Sequence, residues 1–74
     1  MDQEKFLAKI DNLKILTDRV EIHCMGSNPS LLILGQLAQQ QHMYRLILQA
    51  KQDQQYIEGT YETTTNEIVS IEIN

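Results

Sequence analysis

The apolar positions in the first third of the chain follow a helical period. Five of them are separated by four, three, three and four residues, namely Phe6, Ile10, Leu13, Leu16 and Val20. This spacing places all five on one face of an α-helix. Asp2 is a suitable N-cap, and Glu4 suits the positive end of the helix dipole. The pattern therefore predicts a first helix over residues 3–24.

A second helix is predicted over residues 29–57, after a turn at residues 25–28. Gly26 can adopt the left-handed conformation that ends a helix, and Asn28 followed by Pro29 is typical of a helix start. Apolar blocks lie on both sides of a run of glutamines. Glutamine side chains suit either a half-buried surface between helices or a solvated face. Two helices joined by so short a turn are expected to pack antiparallel.

The tail after Gly59 has a different pattern. Residues 69–73 alternate β-branched and polar side chains, and this period of two predicts a strand. Residues 65–67 can form the turn of a hairpin that pairs residues 61–64 with residues 68–71. A frayed tail is the alternative, because a lone two-stranded hairpin is weak in water.

Together these elements predict a mainly α fold, an antiparallel two-helix hairpin with a short β-rich C-terminal tail, in a single domain over residues 1–74. A chain of 74 residues has little core of its own. Both helices carry apolar side chains on more than one side, so we expect a homo-oligomer or another protein partner. Tyr and Arg are enriched at interface hot spots. The expected interface residues are Leu7, Ile15, Ile22, Ile33, Tyr44, Arg45 and Leu46.

The charge balance narrows the classes of partner. Ten acidic and six basic residues give a formal net charge of −4, which argues against duplex nucleic acid and against an anionic membrane. No Lys or Arg follows Lys51, so the acidic tail is either a solvated face or complementary to a basic partner. Without an apolar run of about 20 residues or a signal peptide, a cytoplasmic location is expected. The carboxylates of this tail are Glu58, Glu62, Glu67 and Glu72.

The candidate catalytic residues do not form a recognisable set. His23 and Cys24 are adjacent, and neighbours on a helix point about 100° apart, too far to act as base and nucleophile. His42 lies far along the chain, and the three glycines are isolated, unlike those of a phosphate-binding loop. We therefore expect no enzymatic activity, no cofactor and no metal site.

Two resemblances suggest functions. The turn Ser27-Asn28-Pro29 followed by Leu31-Leu32 resembles that of type III secretion needle subunits, whose small co-chaperones are also acidic helical hairpins. This resemblance implies a chaperone-like protein, an assembly subunit or an inhibitor that masks a larger partner.

The helical-hairpin outline is also similar to small phage anti-defence proteins. That likeness implies the alternative function, an oligomer that sequesters a cyclic or signalling nucleotide between protomers. The residues that would then bind the ligand are Lys14, Arg19, Arg45, Lys51 and Tyr56.

Overall fold

The computed structural model describes residues 2–26, 29–36 and 39–73, and within them the chain forms five β-strands and one α-helix. In chain order these are β1 (Gln3–Ile15), β2 (Val20–Cys24), β3 (Leu31–Leu34), α1 (Gln41–Gln52), β4 (Tyr56–Glu62) and β5 (Ile68–Ile73). The strands form an antiparallel sheet in the order β3-β2-β1-β4-β5. The protein is therefore mainly β, and the prediction of a two-helix hairpin is wrong.

The predicted first helix is instead the β1–β2 hairpin, in which Ile15 pairs with Val20 and Ile10 with Cys24. Along β1 the side chains of Phe6, Ala8 and Ile10 are buried, whereas most of their neighbours are exposed. Residues four positions apart lie on one face of a helix and equally on one face of a strand. The spacing from Phe6 to Ile10 therefore did not distinguish the two structures.

The predicted second helix is divided among β3, α1 and the start of β4. Four consecutive apolar residues, Leu31–Leu34, form a strand, because a strand shielded on much of its surface needs no polar alternation. Gly35, predicted inside the helix, lies between β3 and α1. Gly26 has a φ of +50°, but it follows β2 and ends no helix. Ser27, Asn28, Leu37 and Ala38 lie outside the described residues.

Strands do occur in the tail, as its alternation indicates. Tyr61 pairs with Ile68, and the Asn66 N–H donates to the Glu62 carbonyl oxygen at 2.7 Å to close the turn. β4 nevertheless begins at Tyr56, within the segment predicted as helix. The tail thus supplies β5 and part of β4 to a five-stranded sheet, and neighbouring strands supply the support that an isolated hairpin lacks.

The sheet curls because β1 is shared between two sets of strands. Its first half, Gln3–Lys9, pairs with β4, and its second half, Ile10–Ile15, pairs with β2. A register irregularity marks the junction, and such irregularities increase local bending and twist. The outer strands β3 and β5 then meet through a parallel bridge between Ile33 and Glu67. The result is a partly closed barrel.

One apolar core fills this barrel. The inner faces of all five strands contribute to it, and Ile47 and Ala50 of α1 are fully buried against them. The five strands and α1 of a single chain therefore enclose one apolar core. The core residues are Phe6, Ala8, Ile10, Val20, Ile22, Cys24, Leu32, Leu34, Ile47, Ala50, Ile57, Tyr61 and Ile68.

The connectivity is three strands, a helix and two strands, with β1 central and β3 beside β5. This is the connectivity of the OB-fold, a five-stranded, partly open barrel. A fold does not assign a function, which depends on the side chains of a site. Among the described residues, no helix combines the length and the hydropathy needed to cross a bilayer.

Candidate functional site

The outer side of the β4–β5 hairpin and the adjoining N-terminus carry a concentration of carboxylates. The Thr63 N–H donates to the Asp2 carbonyl oxygen at 3.0 Å, and this bond fastens the N-terminus to the hairpin. We call this region the acidic surface. Its carboxylates belong to Asp2, Glu58, Glu62, Glu67 and Glu72.

Two of these carboxylates are direct cross-strand partners. Glu58 on β4 pairs with Glu72 on β5, and both side chains are exposed. Like charges in this position destabilise a sheet. In the β1–β2 hairpin, by contrast, Lys14 pairs with Glu21, the stabilising combination. Repulsion between Glu58 and Glu72 therefore destabilises the β4–β5 hairpin of the free protein.

The ion pairs among the described residues lie elsewhere, beside the β1–β2 turn. Arg19 contacts Asp18 at 3.1 Å and Glu21 at 3.2 Å. The His23 Nε2 atom lies 3.7 Å from a Glu21 oxygen. Within the described ranges, then, no basic side chain is paired with a carboxylate of the acidic surface.

Two depressions lie within the acidic surface. The first, of about 310 Å³, is lined by Lys5 together with Glu58, Glu72, Thr60 and Ser70, as well as by Phe6 and Gly59. The second, of about 410 Å³, is lined by Asp2, Glu62, Thr64, Thr65 and Glu67. Of these residues, Lys5 alone is cationic. The residues that line each depression therefore carry net negative charge, and the second depression contains no cationic side chain.

Exposed apolar side chains border the acidic surface. Leu7, the β1 partner of Glu58, is 53% exposed, Tyr56 is 50% exposed and Val69 on β5 is 43% exposed. Protein interfaces combine an apolar centre, in which aromatic residues are enriched, with a polar rim. This part of the barrel offers both.

The predicted interface residues do not form one surface. Leu7, Ile15 and Arg45 are exposed, Ile33, Tyr44 and Leu46 are half-buried, and Ile22 is fully buried. Ile22 lies on the inner face of β2, so a partner cannot reach it in the folded chain. Five of them were predicted to form a seam between helices, which this fold does not contain, whereas Tyr44 and Arg45 were predicted from their residue types.

The predicted nucleotide-binding residues are also dispersed. Lys14 lies on β1, Arg19 follows it in the turn, Arg45 and Lys51 lie on α1, and Tyr56 begins β4. None of them lines either depression of the acidic surface.

The face of β2 and β3 has little chemistry for nucleic acid. OB-folds that bind single strands combine a basic groove with aromatic side chains that stack on bases. The sequences of β2 (VEIHC) and β3 (LLIL) contain no Phe, Tyr, Trp, Lys or Arg. His23 is the one ring on these two strands, and it lies beside Glu21.

His23 and Cys24 do not form a catalytic pair. They are neighbours on β2, and successive side chains on a strand point to opposite faces. Cys24 is buried, and its Sγ atom lies 3.8 Å from the Ile22 carbonyl oxygen. Burial raises the pKa of the Cys24 thiol to about 11, so the thiol stays protonated at neutral pH and is a poor nucleophile. In the described part of the chain, no cluster of His, Cys, Asp and Glu could hold a metal ion.

Alkaline pH is expected to destabilise the protein through Cys24. The unfolded thiol ionises near its ordinary pKa of 9.0, whereas the folded thiol retains its proton up to about 11. The stabilisation is therefore complete below pH 9 and is lost as the pH rises to 11, by at most about 2–3 kcal/mol.

Urea denaturation of the wild type and of Cys24→Ala between pH 7.5 and 11 tests this expectation. The pKa of Tyr61 is also raised, by burial and then by the charge of Glu4 and its hydrogen bond. The measured quantity is therefore the difference in the free energy of unfolding between the wild type and Cys24→Ala. This difference should shrink above pH 9. A constant difference would contradict it.

The sequence matches no protein-family model, no curated protein and no solved structure. The suggested resemblance to secretion needle subunits is wrong, because Leu31 and Leu32 lie on a strand and no family match supports it. The likeness to OB-folds concerns strand order alone.

The acidic tail is visible in the sequence, which leaves a solvated face and a basic partner as alternatives and predicts no site residues there. The signal was the absence of Lys and Arg after Lys51. Only the β4–β5 register shows that Glu58 and Glu72 are neighbours, so the sequence alone could not join them into one surface.

Proposed function

We propose that this protein is a non-enzymatic interaction module that binds a basic segment of a protein partner at the acidic surface. The cross-strand pair of Glu58 and Glu72 carries this proposal. Two like charges facing each other are destabilising in the free protein, and a Lys or Arg from a partner would turn that repulsion into attraction. Electrostatic complementarity of this kind gives specificity and fast association.

The apolar border supports a protein partner rather than a free cation. Leu7, Tyr56 and Val69 are each about half exposed, and they adjoin the carboxylates. A peptide or protein that covers them gains apolar burial at about 25 cal/mol per Å². A metal ion or a small polyamine would leave much of that gain unused.

The other candidate partners receive less support. A nucleotide is anionic and would be repelled by the acidic surface, while the basic residues expected to bind it are dispersed. Two copies of the chain that met at this surface would bring together carboxylates of the same sign. A basic partner of a different sequence avoids both problems.

We expect Glu72→Lys to stabilise the protein while it weakens partner binding. The new lysine would face Glu58, so the free energy of unfolding should rise by about 0.5–1 kcal/mol. Affinity for a short synthetic peptide that alternates lysine with threonine or valine should fall about tenfold. Urea denaturation measures the first effect, and fluorescence anisotropy of the labelled peptide in 50 mM salt measures the second.

Asp11→Lys is the matched control, because Asp11 is an exposed carboxylate on β1 outside the acidic surface. It makes the same change in net charge and should alter peptide affinity less than threefold. A peptide in which glutamate replaces lysine should not bind. Equal losses in the two variants would show that net charge alone attracts the peptide and would refute this site.

A further inference from the structure

We propose that the basic segment binds as an additional β-strand along the free edge of β5. This inference rests on the proposed function, since it concerns how the same partner is held. It adds backbone hydrogen bonds, and with them a defined direction and register, to the attraction between charges.

β5 is the last strand in the sheet order, and β4 covers one of its edges. On the other edge, the described hydrogen bond and bridge to β3 lie just before the strand begins. The Ile33 N–H donates to the Asn66 carbonyl oxygen at 2.8 Å, and Ile33 forms a bridge with Glu67. From Ile68 to Ile73, no described strand pairs with this edge. Its unpaired backbone groups form a template for a further strand.

The sequence of β5 does not protect this edge. Exposed edges in natural proteins usually carry lysine or proline, which discourage pairing with other chains. β5 reads IVSIEI and contains neither. Three isoleucines and a valine also have high β-propensity. The other outer strand, β3, has four residues, whereas β5 has six, so β5 offers the longer edge for an added strand.

The charges select the occupant. Glu67 and Glu72 are both exposed, and Glu58 pairs with Glu72 across the hairpin. Every second side chain of an added strand points to the same face, about 7 Å apart. A segment with Lys or Arg at alternate positions can therefore place its cations along the acidic surface. A second copy of β5 would bring two more glutamates instead.

Two N-methylated versions of the lysine-alternating peptide test strand addition. N-methyl groups placed on alternate residues remove one set of backbone donors, and shifting them by one residue removes the other set, with no change in charge. Only one set faces β5 in an added strand. We therefore expect one analogue to lose at least tenfold in affinity and the other to bind nearly as the parent peptide does.

Amide exchange of the intact protein gives a second readout. Bound parent peptide should slow exchange at amides within Ile68–Ile73 more than at those of β2. One weakened analogue together with protection of β5 would establish strand addition. Equal affinities for the two analogues would overturn it while leaving the proposed function intact. Failure of the parent peptide to bind would overturn both, and a dimer formed through β5 would assign the edge to a second copy.

Discussion

Gly59→Ala is expected to destabilise the protein by more than about 3 kcal/mol. A Cβ atom at this position would lie 1.9 Å from the Ser70 carbonyl oxygen and 3.0 Å from the Ile71 Cα atom. These are backbone atoms of β5, so a change of rotamer cannot relieve the clash, and β4 and β5 would have to separate. A domain of this size has only about 4–11 kcal/mol of total stability.

Urea denaturation followed by circular dichroism measures this effect. Gly35→Ala is the matched control, because the nearest atom to its added Cβ is the Gln40 Cγ atom at 3.8 Å. That variant should stay within about 1 kcal/mol of the wild type. If Gly59→Ala and Gly35→Ala had equal midpoints, the close approach of β4 to β5 would be refuted.

Asn66→Asp is expected to lower the free energy of unfolding by about 2–3 kcal/mol. Asn66 joins the two outer strands, since its Nδ2 atom donates to the Leu31 carbonyl oxygen at 2.7 Å and its own carbonyl oxygen accepts from the Ile33 N–H. Aspartate removes the side-chain donor and places a carboxylate against a carbonyl oxygen. The opening between β3 and β5 would then lose one of its two described hydrogen bonds.

Two further variants separate the contributions of Asn66. Its φ is +63°, a conformation that asparagine tolerates better than most residues. Asn66→Gly keeps this conformation and loses only the side-chain hydrogen bond, which should lower the free energy of unfolding by about 1 kcal/mol. Asn66→Ala loses the same bond and adds backbone strain. Unfolding midpoints in urea should therefore fall in the order glycine, alanine, aspartate. An aspartate variant as stable as the glycine variant would contradict this role.

The two errors in secondary structure have a common cause. Phe6 and Ile10 are four residues apart, which suits a helix and a strand alike, and Leu31–Leu34 is an apolar run without periodicity. In both places the secondary structure is decided by pairing with a strand that is distant in sequence. Local propensity carries no information about that pairing. In the tail, where alternation is unbroken from Val69 to Ile73, the strand could be predicted.

The acidic character of the C-terminal part and the β pattern of its last residues are local features that could be predicted from the sequence. The tertiary structure decided everything that depends on register: which residues share the core, the close approach at Gly59, the junction at Asn66 and the pairing of Glu58 with Glu72. The physical reason is that composition and period are local properties of the chain. Cross-strand neighbours are set by the free energy of closing long loops around one core.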